Sequence, residues 1–184
     1  RAVERTVDAF GALDVLVNNA GIISRASVTE LDEADWDRVM AVNAKSIYLM
    51  SRHAIPVMTG GGGGSIINVA SGWGLTGGAR AAAYCASKGA AVNLTRAMAL
   101  DHGPAIRVNC LCPGDTDTAM LRAEAAELGV PIDELLAESA KRPLGRVIRP
   151  ADVAEAALYL AGDGAAAITG VALVVDGGGL AGYG

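Results

Sequence analysis

The chain has 184 residues, enough for one domain with its own core and too few for two large ones. Its 52% apolar content, 4% aromatic content and 24 glycines suit an α/β protein built on Ala, Val, Leu and Ile with tight turns. A formal charge of −5 with no Lys/Arg run excludes a nucleic-acid stripe and an anionic membrane surface as partners, and no apolar stretch reaches the ~20 residues of a membrane span.

In chain order, residues 1–10 have a helical pattern that Gly11 stops. The chain opens at Arg1, without a methionine and already in that helix, so an upstream segment is expected to be missing. Residues 13–17 read as the first strand. Residues 31–58 read as one long helix, with Trp36, Val39, Met40, Ile47 and Met50 at helical spacing and Asp32, Glu33 and Asp35 near its start. The run Gly60 to Gly64 reads as a flexible surface connection, because a phosphate-cradling loop follows a strand and this run precedes one.

A second strand is expected over 65–69, a helix over 80–102 and a third strand over 106–111. Residues 116–141 lack a strand and contain two short helical stretches, 120–128 and 133–138, which form a lid-like insertion over the strands' carboxyl ends. Residues 152–161 follow Pro150 as a further helix, and 172–175 form the last strand. None of the strands shows long apolar/polar alternation, as expected when both faces of a sheet are covered. Alternating strands and helices give right-handed crossovers and a doubly wound parallel sheet with helices on both faces.

Cys85, Cys110 and Cys112 form an odd set without a Cys-x-x-Cys, and His53 and His102 have no ligand-like spacing to them. Free thiols in a reducing compartment are the natural reading, and no metal site is expected. No basic start precedes an apolar signal segment, so a soluble cytoplasmic protein is expected.

The residues richest in chemistry are Tyr84 and Lys88, at i and i+4 of a helix, with Ser71 at the end of the second strand. Residues at that spacing share a helix face. An ammonium beside a phenol favours the phenolate and brings a group of ordinary pKa near 10 toward a working proton donor and acceptor. A surface pair on an alanine-rich helix has the same spacing, so the pair alone leaves both readings open.

Together with Asn18-Asn19-Ala20-Gly21 after the first strand, Val42-Asn43-Ala44-Lys45-Ser46 in the long helix, Pro113-Gly114 after the third strand and Ile168-Thr169-Gly170 leading to Asp176-Gly177-Gly178, these residues resemble the short-chain dehydrogenase/reductase family in its nicotinamide-dependent form. The resemblance runs the length of the chain. It implies the C-terminal part of a single Rossmann-fold domain over 1–184, with the family's N-terminal strands and glycine-rich pyrophosphate turn absent. The first visible strand should then expose an apolar edge prone to aggregation.

The resemblance implies an NAD- or NADP-dependent oxidoreductase that interconverts a secondary alcohol and a ketone. Tyr84 would be the general acid/base, Lys88 would lower its pKa and hold the nicotinamide ribose, and Ser71 would hydrogen-bond the substrate oxygen. Asn43 would kink its helix and position a water that relays protons from Lys88. Asn18, Ala20 and Gly21 would border the cofactor's adenosine half, and Pro113, Gly114, Thr116 and Thr118 its nicotinamide. Thr116 stands where the family has Val or Ile, and Asp115 and Asp117 are either contacts for a polar substrate or solvated loop charges, the latter favoured.

Trp73, Leu75, Met120 and Leu121 are expected around the substrate, with Trp73 equally readable as a packing residue. A small-residue helix face at Ala82, Ala86, Ala90 and Ala97 suits either a homotetramer or homodimer contact or packing on the sheet. Three functions stay open: an alcohol dehydrogenase or ketone reductase, including a 3-oxoacyl-carrier-protein reductase; an isomerase or dehydratase of the extended family, against which the ending Val174 to Gly178 argues; and a catalytically silent fragment that keeps only the fold.

Overall fold

The computed structural model describes residues 1–182 of the chain. Helix α1 (Ala2–Phe10) ends on Gly11, whose φ of 82° lets its N–H turn back to the Val7 carbonyl. Four parallel strands follow in one sheet: β1 (Val15–Asn18), β2 (Gly64–Val69), β3 (Ile106–Pro113) and β4 (Ala172–Val175), ordered as they occur in the chain. The register puts Asn18 beside Asn68 and Asn68 beside Cys110, so the carboxyl ends of the strands come out together.

Both faces are covered, which explains the unbroken apolar strands. Ile66 and Val108 pack with Ala54 and Met58 of α3 (Ser46–Gly60) and with Met98 of α4 (Ala82–His102). On the other face Ile67 and Leu111 meet Leu160 of α7 (Pro150–Ala161). Between β3 and α7 lie α5 (Ala119–Leu128) and α6 (Ile132–Ser139), the two helices expected in 116–141. A buried chain of side chains ties the layers together: Asn18 Nδ2 donates to Asn68 Oδ1 at 2.8 Å, Asn68 Nδ2 to Thr95 Oγ1 at 2.9 Å, and Thr95 Oγ1 to the Ala91 carbonyl. Among the described residues β1 has no partner on its outer side, and Val15 and Val17 are 40% and 45% exposed, the apolar edge expected from the sequence.

One expectation needs correction and another is met in part. The helix over 31–58 is not continuous: α2 (Glu33–Met40) and α3 are separated by a π-helical turn, Ala41–Lys45, that holds Asn43. The wider turn is secured by Asn43, whose side chain bonds to another segment of the chain. The run Gly60 to Gly64 is an exposed connection over its first three residues, as expected, but is tightly packed where it enters β2. Gly60 closes α3 and Gly64 begins β2, and a side chain at Gly64 would collide with the Asp14 carbonyl and Met58. Gly63 and Gly64 serve close packing, Gly63 against the Ala105 carbonyl.

Candidate active site

Beyond β2 the chain reaches Ser71, which caps a short 3₁₀ turn (Gly72–Gly74) by accepting the Trp73 N–H at 3.2 Å. Helix α4 begins at Ala82, so its first two turns carry Tyr84 and Lys88 back toward the same strand ends. Beyond β3, Gly114 lies against Asp176, where a Cβ would come within 2.8 Å of the Asp176 Cβ; glycine alone fits that approach. Asp176 is itself fixed by accepting the N–H groups of Gly178 and Leu180. Thr118 then caps α5.

These segments enclose a cavity of about 920 Å³ at the carboxyl ends of the strands. Ser71, Trp73, Tyr84 and Lys88 line it, as do Ala20, Gly21, Pro113, Gly114, Thr116 and Thr118, together with Met120 and Leu121 from α5. The crevice beyond the strand ends is where open α/β sheets bind ligands. Leu75, expected at the substrate, is 40% exposed and away from the cavity wall.

Lys88 is 3% exposed, and its Nζ donates to the Val69 carbonyl at 2.8 Å. Burial lowers its pKa from 10.5 to about 8. Tyr84 is 8% exposed, with the Lys88 Nζ 5.6 Å from its ring centre. Burial pushes the Tyr84 phenol above its ordinary value; the Ser71 hydroxyl works against this, while Glu124 and Asp115 add to it. The expected lowering of the Tyr84 pKa by Lys88 is therefore corrected: the amine is tethered to the β2 end, and desolvation of the ring dominates. Tyr84 is a neutral phenol at physiological pH, ready to donate.

Trp73 packs and lines the cavity at once. Its ring meets Tyr84 edge-on at 6.1 Å between centroids, and it also faces the cavity. Asn43, 1% exposed, lies behind the wall: Nδ2 donates to the Ile22 carbonyl and to Ser87 Oγ, and Oδ1 accepts the Ile22 N–H. It pins the turn at Gly21, where an added Cβ would sit 3.1 Å from Lys88 Nζ. Asn18 is not on the wall; its side chain points into the polar chain with Asn68, and Asn19 lines the cavity instead. The reason is the strand register, which turns Asn18 toward β2. Asp115 lines the cavity paired with Arg142 at 3.1 Å, and Asp117 pairs with Arg122 at 2.6 Å; both carboxylates stay partly solvated.

Sequence reasoning missed Arg25 and Glu124. Arg25 follows Asn-Asn-Ala-Gly by four residues and Glu124 sits in the middle of α5; neither position carries a motif, and only the fold brings them together at 3.2 Å.

A parallel sheet whose strand ends open onto a serine, a tyrosine and a lysine in one cavity is the arrangement that the resemblance to nicotinamide-dependent oxidoreductases of the Rossmann class implies. A family model described as enoyl-(acyl carrier protein) reductase matches residues 1–179. The 2-(S)-hydroxypropyl-CoM dehydrogenase 3 of Xanthobacter autotrophicus is 43% identical over 96% of this chain and 70% of its own length. The meso-2,3-butanediol dehydrogenase of Serratia marcescens is 40% identical over 97% of this chain and 68% of its own. The solved structure of ligand-free aldohexose dehydrogenase from Thermoplasma acidophilum superposes with a TM-score of 0.94 at 34% identity, over 99% of this chain and 73% of that one. The chain belongs to the short-chain dehydrogenase/reductase family, and it spans about 70% of the length of the relatives it matches.

The residues fit the nicotinamide half of the cofactor. At Gly21 an added Cβ would sit 3.1 Å from the Lys88 Nζ, so the glycine keeps the space beside the amine open, and Pro113, Gly114, Thr116 and Thr118 line one wall of the cavity.

Proposed function

We propose that the protein interconverts a secondary alcohol and a ketone, with NAD or NADP as hydride carrier, Tyr84 as general acid/base and Ser71 as partner of the substrate oxygen. The observation that carries this reading is the meeting of Ser71, Tyr84 and Lys88 in a single cavity at the strand ends. The bound nicotinamide supplies or accepts the hydride. In the reducing direction the Tyr84 phenol donates its proton to the carbonyl oxygen, and the Ser71 hydroxyl stabilises the charge developing there. Burial of Tyr84 strengthens its interaction by excluding water. Lys88 holds the ribose and returns a proton to Tyr84, and Asn43 fixes the turn against which the Lys88 amine rests. Asn18 contributes by holding the β1 end in place, Ala20 and Gly21 by their backbone.

The two helices over 116–141 act as a lid, since Met120 and Leu121 of α5 face the cavity. Exposed Tyr48 and Leu49 on α3 support assembly as a homodimer or homotetramer, and three free thiols support a cytoplasmic setting. Among the described residues no helix is long and apolar enough to cross a membrane.

The test is hydride transfer by the full-length gene product. With NAD or NADP and a panel of secondary alcohols, absorbance of the reduced nicotinamide should rise. Retained cofactor with no net reduction would point to internal redox chemistry, and failure to bind either nucleotide would leave only a fold.

A further inference from the structure

The substrate side of the cavity contains a charge pair for which proton transfer has no use. Arg25 and Glu124 meet at 3.2 Å with side chains only 12% and 13% exposed, and the Arg25 guanidinium lies over the Trp73 ring at 5.1 Å from its centre. Buried pairs of this kind add little to stability, because desolvation offsets their attraction. Nε and Nη1 of Arg25 are buried without an aligned hydrogen bond, so the contact is charge against charge. Glu124 lines the cavity, and among the described residues none donates a hydrogen bond to its carboxyl group. The Glu124 carboxylate, held by a cation behind it, therefore faces the cavity free to accept a hydrogen bond from a ligand.

The chemistry of that donor follows from the charges around it. An anionic substrate group would face the Glu124 carboxylate, and the guanidinium that lines the wall, Arg142, is already paired with Asp115 at 3.1 Å. A cationic group would meet a carboxylate whose charge Arg25 already offsets. A neutral hydroxyl satisfies the free acceptor at no such cost. We propose that Glu124 is a specificity-determining residue, positioned by Arg25, that accepts a hydrogen bond from a second hydroxyl of the substrate, which makes the preferred substrate class diols and hydroxyketones. This rests on the alcohol/ketone reading of the site. The second hydroxyl takes no part in hydride transfer. Trp73 packs against Arg25 on one side and Tyr84 on the other, and so links the reacting end of the cavity to the recognising end.

The full-length gene product with saturating nicotinamide is assayed on butane-2,3-diol, butan-2-ol and 3-aminobutan-2-ol. The diol is expected to exceed the simple alcohol in kcat/KM by about tenfold or more, the range of one hydrogen bond to a charged group. Glu124→Leu with Arg25→Met removes both charges and keeps apolar bulk, so no lone buried ion remains; in it the diol's advantage should fall to near unity, chiefly through a raised KM. Glu124→Gln keeps an acceptor and should retain part of the advantage, a rescue that a merely structural role would not give. Diol-dependent elevation of the holoenzyme's Tm should shrink in the same order. Equal use of diol and butan-2-ol by the unaltered enzyme, with hydride transfer intact, would overturn the assignment and leave the alcohol/ketone reading standing. An advantage that survives in the double variant, or preference for the amino alcohol, would overturn it too. No hydride transfer from any of the three would remove both readings together.

Discussion

Lys88 Nζ is bonded to the carbonyl oxygen of Val69, 2.8 Å away, at the point where β2 leaves the sheet. The amine is thereby anchored to the sheet rather than to the phenol one helical turn before it. Two electrostatic consequences follow, one for stability and one for the pH dependence of turnover.

The first concerns stability. Burial depresses the Lys88 pKa from 10.5 to about 8, so between those values the unfolded chain binds more protons than the folded one. Stability from this group is therefore gained as pH rises from 8 toward 10.5 and lost as pH falls through 8, a swing on the order of 3 kcal/mol. Lys88→Met lacks this titration. The difference in unfolding free energy, variant minus unaltered protein, should shrink steadily from pH 7 to pH 10 in urea titrations. A pH-independent difference would contradict the buried, titrating amine.

Tyr84 is held above its ordinary pKa by desolvation, so the phenol stays protonated through neutral pH. As donor it is ready for ketone reduction; as acceptor in alcohol oxidation it must first ionise. The kcat/KM for oxidation should climb with pH beyond 9, while that for reduction stays level over the same interval. A plateau in oxidation below pH 8 would show that another group governs the step.

Removing the phenol oxygen tests the same residue directly. Tyr84→Phe should lower kcat by about 10²- to 10⁴-fold, the range of general acid/base catalysis. Cofactor affinity, followed by fluorescence of the reduced nicotinamide, should change little because the ring remains. Unimpaired turnover would take Tyr84 out of the mechanism.

Gly21→Ala introduces a Cβ 3.1 Å from Lys88 Nζ and 3.5 Å from Asn43 Oδ1. The amine has little freedom to retreat, being buried and bonded to Val69. Turnover should fall by as much as about 10²-fold through misplacement of Lys88, with a circular-dichroism spectrum and Tm close to those of the unaltered protein.

Asn43→Ala removes three hydrogen bonds and leaves the Ile22 N–H and carbonyl without their partners. The loss should be on the order of 3 kcal/mol, or roughly 6–12 °C in Tm for a chain of this size. Calorimetry checks it; a loss near zero would mean that the π-turn is held by other contacts.

Much of this was legible in the chain. The buried runs at Ile66-Ile67 and Val108 to Leu111 predict a sheet covered on both sides, and α3, α4 and α7 cover it. The resemblance carried by Ser71, Tyr84 and Lys88 implies one shared cavity at the strand ends, and the cavity is there. The break at Asn43 was legible only as the kink that the resemblance implies, because local apolar spacing continues through residues 31–58 while the bonds that set the turn come from Ile22 and Ser87. Asn18 was assigned to the cavity by its neighbours in sequence, whereas strand pairing aims it at Asn68.

The sequence by itself determined the parallel α/β layering, because strand alternation, helical spacing and glycine turns are local properties, while the three groups that meet at the strand ends were picked out by the family resemblance of its motifs. Only the tertiary structure decided the protonation of Tyr84, the tether of Lys88 and the pairing of Arg25 with Glu124. Those depend on desolvation and on contacts between residues as far apart as Val69 and Lys88 or Arg25 and Glu124, which no local pattern encodes.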